Sequence, residues 1–263
     1  MWEREVFDML ASQRHNQIQQ LLQENGAVTI AKLMETFAIS METARRDLAA
    51  MEKDGLLVRV HGGALPPDTV PFYRPLKDRI GKQHAQKQAI AKAAVALVEE
   101  GDFISIGGGS TALAFAQELR KQIRKLTIVT YSLDVFETLQ DLPDYTVLLT
   151  GGRLDNNERV FYGSQVCQFL ANVDVRKCFI FPSVLSLEAG ITCYTQTLPL
   201  QLMPMLHQCD QVYVLADHTK FQKNAIYQIS PMRQDFIYIT DSSMPDALRS
   251  IYAANHLNFI FAE

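Results

Sequence analysis

Two groups of residues in this 263-residue chain have types and spacings that suggest binding chemistry. The first is Ile106-Gly107-Gly108-Gly109-Ser110-Thr111, set between an apolar run and a helical pattern. Glycines let a ligand approach the backbone, and the helix N-terminus behind them points free N–H groups and a partial positive charge at it. Ser110 and Thr111 add hydroxyl donors. Such a turn suits a phosphate monoester, although glycines at a strand–helix turn also serve close packing alone. It is neither a dinucleotide fingerprint nor a P-loop, which needs a Lys before its final Ser or Thr. Three later segments also read as strand ends: Thr130-Tyr131-Ser132, Thr150-Gly151-Gly152 and Ala216-Asp217-His218-Thr219-Lys220. Ligands of open α/β sheets gather at the carboxyl ends of strands. Lys220 is the natural cation for a phosphate there, with Asp217 placed to orient it. Each segment alone is an ordinary turn; the four together point to one pocket.

The second group lies on a helix that Ser40 is suited to cap. Ala44, Leu48 and Met51 recur at helical spacing and form one apolar stripe. Glu42, Arg46, Ala49 and Lys53 fall on the other side, flanked by Thr43 and Arg45. Asp54-Gly55 ends the helix, since Gly accepts the left-handed conformation found there. Leu56 to Ala64 then reads as a strand, a tight turn and a return. Upstream, Ile18, Leu21 and Leu22 mark a first helix that stops near Asn25-Gly26. Thr29 caps a second, whose apolar side is Leu33, Met34 and Phe37. Three helices and a two-stranded wing make a winged helix-turn-helix, whose third helix enters a DNA major groove. Arginine forks suit guanine edges and phosphates, and Arg59 and His61 on the wing are placed to touch backbone phosphate. The competing reading of Arg45-Arg46 is a solvated face. Glu42, Asp47, Glu52 and Asp54 offset Arg45, Arg46, Lys53 and Arg59, so there is no basic patch of the usual kind.

The rest of the chain must position these groups. Leu65 to Pro71 has the composition of a linker, and Arg74, Lys77, Arg79, Lys82 and Lys87 then crowd a segment opposed by Asp78 alone. That segment is either a solvated face or a source of cations for a phosphate. From Gln88 onward, helical patterns alternate with short apolar strands, which predicts an open, largely parallel α/β sheet. The expected domains are 1–64 (winged helix-turn-helix), 65–87 (linker and basic segment) and 88–263 (sensing α/β domain). Hydrophobic residues make up 48% and charged ones 21%, a globular balance. The net charge of −4 supplies no global field toward nucleic acid, so any DNA contact must be local. The N-terminus reads as no signal peptide, and no apolar run reaches the roughly twenty residues of a membrane span. The four cysteines lack metal-ligand spacing and read as buried free thiols, with a disulfide pair as the alternative.

The run from Ser40 through Thr43 and Arg45-Arg46-Asp47-Leu48 to Arg59 and His61-Gly62-Gly63-Ala64 resembles the signature of the DeoR family of bacterial transcriptional regulators. The likeness extends along the whole chain. The second domain resembles that family's effector domain, which is similar in fold to ribose-5-phosphate isomerase. The resemblance implies a cytoplasmic, homo-oligomeric DNA-binding regulator, a repressor of a carbohydrate-utilisation operon, controlled by a phosphorylated sugar. Gly107, Tyr131, Arg176 and Thr197 stand where the family commonly has Asp, Asn, Asp and Glu. These positions are expected to shape sugar selectivity, so the identity of the effector does not carry over. Arg79 and Lys87 match family positions without an assigned role.

The alternative is a phosphosugar isomerase with an accessory helical domain. Aldose–ketose isomerisation needs a carboxylate that shuttles a proton between adjacent carbons. In the isomerase that this domain resembles, acidic residues follow the strand that here reads Cys178 to Phe181. This chain continues Pro182-Ser183-Val184-Leu185-Ser186-Leu187, with no carboxylate before Glu188. The expectation is a binding site without catalytic residues, metal or cofactor.

Overall fold

The computed structural model describes residues 11–60, 62–67 and 75–263. Its contacts divide into two compact units, Met1–Tyr73 and Arg74–Glu263. In the first, α1 (Ala11–Asn25), β1 (Val28–Thr29), α2 (Ile30–Phe37), α3 (Met41–Lys53), β2 (Val58–Val60) and β3 (Gly63–Leu65) follow in order. The expected caps form. Thr29 Oγ1 accepts from Lys32 N, and Ser40 Oγ accepts from Thr43 N, so each fills an orphan donor of a first turn. Ala44, Leu48 and Met51 face Ile18, Leu22, Leu33 and Leu57 in one core. The wing has a third strand that two residues of sequence did not announce, in the order β1-β3-β2. A Cβ at Gly63 would lie 2.1 Å from the Val28 carbonyl oxygen, so only glycine lets β1 and β3 approach this closely.

In the second unit the elements are α4 (Leu76–Ile80), α5 (His84–Val95), β4 (Phe103–Ile106), α6 (Ser110–Gln122), β5 (Leu126–Thr130), α7 (Leu133–Leu139) and β6 (Tyr145–Leu149). There follow β7 (Arg153–Asp155), β8 (Val160–Tyr162), α8 (Ser164–Ala171), β9 (Lys177–Ile180), β10 (Val184–Ser186) and β11 (Gly190–Cys193). The chain ends with α9 (Thr197–Gln208), β12 (Gln211–Leu215), β13 (Tyr227–Ser230), β14 (Ile237–Asp241), α10 (Asp246–Ala254) and β15 (Asn258–Ala262). Seven strands pair in parallel in the order β15-β14-β12-β9-β4-β5-β6. Both faces are covered, with Phe115, Leu119 and Val135 on one and Val166, Leu202 and Tyr252 on the other. That is why these strands read as unbroken apolar runs. The strand order reverses between β4 and β9, which places the topological switch point at the carboxyl end of β4. Smaller sheets, β7-β8 and β10-β11-β13, sit outside the main one.

The stretch read from sequence as linker and basic segment contains α4 and the first turn of α5, which pack in the second unit. All four cysteines are free; Cys178 and Cys193 are buried, whereas Cys167 and Cys209 are only half-buried. No helix among the described residues is long and apolar enough to cross a membrane.

Candidate functional sites

On α3, Ser40, Glu42, Arg45, Arg46 and Lys53 are exposed and Thr43 is half-buried. Among the described residues, Arg45, Arg46 and Lys53 show no hydrogen-bond or ion-pair partner, so their donors are open to a ligand. The charge balance drawn from sequence needs correction. Asp47 is 5% exposed, because Arg14 of α1 donates to it from Nε at 2.6 Å and from Nη2 at 3.0 Å. Burial pushes the Asp47 carboxyl up, and the bonds and charge of Arg14 pull it back to below the ordinary value. Glu52 is also engaged, accepting from Arg59 N and pairing with Arg59 Nε at 3.4 Å. Asp47 is therefore held by a cation outside that count, while Glu52 offsets Arg59 and leaves Arg45, Arg46 and Lys53 open. Arg59 is exposed on the wing, while His61 lies outside the described residues.

The glycine loop follows β4 at the switch point. A Cβ at Gly107 would stand 2.9 Å from the Tyr131 hydroxyl, and one at Gly108 would stand 2.5 Å from Val160 Cγ1. Gly109 has φ +120° and caps α6 without a side-chain bond. The first intrahelical bond is Leu113 N to Gly109 O, which leaves the amides of Ser110, Thr111 and Ala112 without helical acceptors. The Ser110 and Thr111 hydroxyls have no hydrogen-bond partner among the described residues. These free donors can close around an anion.

Gly108→Ala is accordingly expected to cost about 1–3 kcal/mol through overpacking, read as a lower thermal midpoint. Val160→Ala in the same chain should recover part of the loss. An unchanged midpoint in the single variant would show that the loop is not tight at this point.

The structure places at this loop a cation that the sequence left open between a solvated face and a phosphate ligand. Arg79 Nη1 lies 3.9 Å from the Cβ position of Gly109, and its guanidinium pairs with Glu158 in the β7–β8 turn. Lys220 is half-buried; burial draws its pKa down and Asp217 draws it up, while Arg79 and Lys223 repel it and Glu158 attracts it. Lys87 is 4% exposed and donates to the carbonyls of Arg79 (2.5 Å) and Lys82. Burial holds its pKa near 8, against the pull of Asp217. Neither Arg79 nor Lys87 is therefore part of a solvated face, although Lys77 and Lys82 are exposed.

Other expected residues take different places. Asp217 is buried, and its Oδ1 accepts from the Thr219 amide and hydroxyl, capping a 3-10 turn at His218–Lys220. It acts on Lys220 through charge and makes no hydrogen bond to its ammonium, so the expected orienting contact is absent. Ser132 lies beside the loop, but its hydroxyl caps α7 by accepting from Val135 N. Gly151 (φ +66°) and Gly152 (φ +111°) follow the edge strand β6, and a Cβ on Gly152 would meet the Tyr162 carbonyl at 2.9 Å. Close packing against the β7–β8 hairpin explains Gly152 without a ligand. Tyr131 is buried, with its hydroxyl bonded to the Gly108 backbone and its pKa raised by burial. Arg176 precedes β9, so it sits at the amino end of a parallel strand, opposite the end that carries the loop. That end lies away from the loop, which argues against the expected part of Arg176 in selectivity. Glu188 is exposed in the β10–β11 turn. No cluster of three potential metal ligands occurs among the described residues.

Comparison with known proteins follows the same division. The DeoR-like helix-turn-helix domain matches residues 14–70, and the DeoR C terminal sensor domain matches residues 82–242. The HTH-type transcriptional regulator GolR of Listeria innocua is 31% identical over 241 residues, covering 91% of this chain and 94% of its own. The glycerol-3-phosphate regulon repressor of Escherichia coli is 27% identical over 249 residues, covering 95% and 98%. A solved D-ribose-5-phosphate isomerase overlaps 52% of this chain and 54% of its own, at 17% identity and a TM-score of 0.39.

Proposed function

This chain belongs to the DeoR family of transcriptional regulators, and on that premise we propose that it represses a carbohydrate-utilisation operon until a phosphorylated sugar releases it from DNA. The observation that carries the effector reading is the uncapped start of α6. Its free amides and hydroxyls follow three glycines at the switch point of the sheet, with Arg79 beside Gly109 and Lys220 coupled to Arg79. A phosphate monoester matches such an arrangement of donors and charge. The relative named for glycerol-3-phosphate supports the same chemistry.

For the operator, α3 and its cap supply Arg45, Arg46 and Lys53 with Ser40, Glu42 and Thr43, and the wing supplies Arg59; His61, which the sequence adds to this set, lies outside the described residues. A single small head binds weakly, so the working form is a cytoplasmic homo-oligomer whose paired heads meet paired half-sites. Release follows if the sugar phosphate binds more tightly to the arrangement whose heads do not match the operator. The acids of the pocket hold cations: Glu158 pairs with Arg79, and Asp217 attracts Lys87 and Lys220. That arrangement suits binding without turnover.

The test is fluorescence anisotropy of duplexes from the gene's own neighbourhood, with salt and sugar phosphates varied. Affinity should fall with salt as phosphate contacts release counterions, and one sugar phosphate should dissociate the complex. Arg46→Ala should lower operator affinity by about 10- to 100-fold, the worth of a lost base or phosphate contact, with effector binding unchanged. Equal operator affinity would remove Arg46 from the interface. Conversion of a pentose phosphate in a coupled assay would favour the isomerase instead.

A further inference from the structure

The β7–β8 turn touches both the glycine loop and the first helix of the α/β unit. On the loop side, Val160 packs at Gly108 and forms a bridge with Ser132, and the Arg159 carbonyl accepts from Leu133 N at 2.9 Å. Asp155 Oδ1 holds the turn itself, accepting from Asn157 N at 2.8 Å and Glu158 N at 3.2 Å. On the other side, Leu76 N at the start of α4 donates to Asn157 O at 3.0 Å, and Arg79 of the same helix pairs with Glu158. Two bonds thus fasten α4 to the turn that covers the loop.

Glu158 is not at rest there. Its side chain is 17% exposed, and its Oε1 is buried without a hydrogen-bond partner among the described residues. A buried carboxylate oxygen that lacks a donor is costly to hold, so the Arg79 pair retains Glu158 against a penalty. Lys220 is attracted by Glu158 and repelled by Arg79, which places all three in one electrostatic group. The guanidinium nearest Gly109 already carries an anion, supplied by the protein itself.

We infer that Glu158 is an internal stand-in for the effector's phosphoryl group: an incoming phosphate takes Arg79 from the Glu158 carboxylate and so releases one of the two bonds that fasten α4 to the β7–β8 turn. The exchange swaps one anion for another on a single guanidinium and makes no covalent change. It rests on the reading of the glycine loop as a phosphate site and adds how occupancy leaves that site. α4 starts at Leu76, three residues after the first unit ends at Tyr73, so the joint lies next to the chain segment that leads to the DNA-reading unit. The internal pair also sets affinity, because phosphate binding is weakened by the share of molecules in which Glu158 holds Arg79.

The test titrates inorganic phosphate into the full chain, wild type and Glu158→Gln, at constant pH and ionic strength, by calorimetry. The variant should bind phosphate about tenfold more tightly, the gain from removing a competitor that occupies about nine molecules in ten. Without phosphate, its affinity for operator duplex should drop to that of the phosphate-saturated wild type. If the wild type binds phosphate and the variant gains nothing, the stand-in is overturned and the loop reading survives. If neither binds phosphate, both fall. Glu158→Ala, measured in the same way, replaces the glutamine variant should that one not fold.

Discussion

Asp47→Ala should unfold the DNA-reading unit at temperatures where the α/β unit stays intact. Arg14 is 8% exposed and meets Asp47 through two hydrogen bonds, with His15 Nε2 a further 3.3 Å contact on the same carboxylate. Removing the acid takes from a buried guanidinium the carboxylate that accepts two of its hydrogen bonds. Breaking one side of a buried pair costs about 3–5 kcal/mol. A unit this small has a total near the bottom of the usual range of about 5–15 kcal/mol, so the loss removes most of its stability. Limited proteolysis should cut within residues 11–60 and spare 75–263, duplex binding should vanish, and binding of the effector should persist. Replacing both partners with apolar residues, Arg14→Met with Asp47→Leu, should restore part of the loss, because the guanidinium and the carboxylate are then removed together. The pair also sets an acid limit. With its folded pKa below that of an ordinary aspartate, Asp47 contributes stability that is complete above the ordinary value and fades as pH falls through the lowered one. A single Asp47→Ala chain as stable as the wild type would show that the pair is not what joins these helices.

The same pair marks where the sequence stopped being legible. Local signals were readable because each is complete within a few residues. Ser40 and Thr29 announce helix starts, Gly107 to Gly109 announce a turn into a helix, and Phe103-Ile104-Ser105-Ile106 announces a strand covered on both faces. Asp47 looked like one more surface acid because its partner lies 33 residues away on another helix. Arg79 stayed undecided between a solvated cation and a phosphate ligand for the same reason, as Glu158 stands 79 residues downstream in the turn between two three-residue strands too short to show alternation. Family likeness flagged Arg79 and Lys87 without saying what they touch. It also suggested Arg176 as a selectivity position, although a residue preceding a parallel strand lies at the end away from the ligand. Gly152 was read as a ligand contact where the observed contact is a carbonyl of its own hairpin. Pattern located the loop; pairing across the fold decided which charges surround it.

Lys220→Met should leave operator binding intact and make the regulator nearly deaf to its effector. The Lys220 ammonium makes no hydrogen bond within the described residues, and burial opposes its charge. Arg79 and Lys223 repel it as well, leaving Asp217 and Glu158 as the carboxylates that sustain it. A cation kept half-buried in this way contributes little to folding, and its strongest interaction is made when an anion arrives. A charge-assisted bond to a phosphate oxygen is worth about 1.5–3 kcal/mol, so the half-maximal effector concentration should rise by about 10- to 150-fold. The thermal midpoint without effector should hold or rise, because the methionine retains the aliphatic packing and removes a desolvated charge. A merely structural lysine would give the opposite pair of results, a lower midpoint with an unchanged dose response. Lys220→Arg should recover part of the response, since the guanidinium keeps the charge but not the compact geometry of an ammonium. The effector-induced rise in midpoint, measured on the same samples, separates lost binding from lost transmission. If Lys220→Met binds the effector as the wild type does yet fails to release DNA, the lysine transmits rather than binds, and Arg79 with the loop amides must hold the phosphate alone.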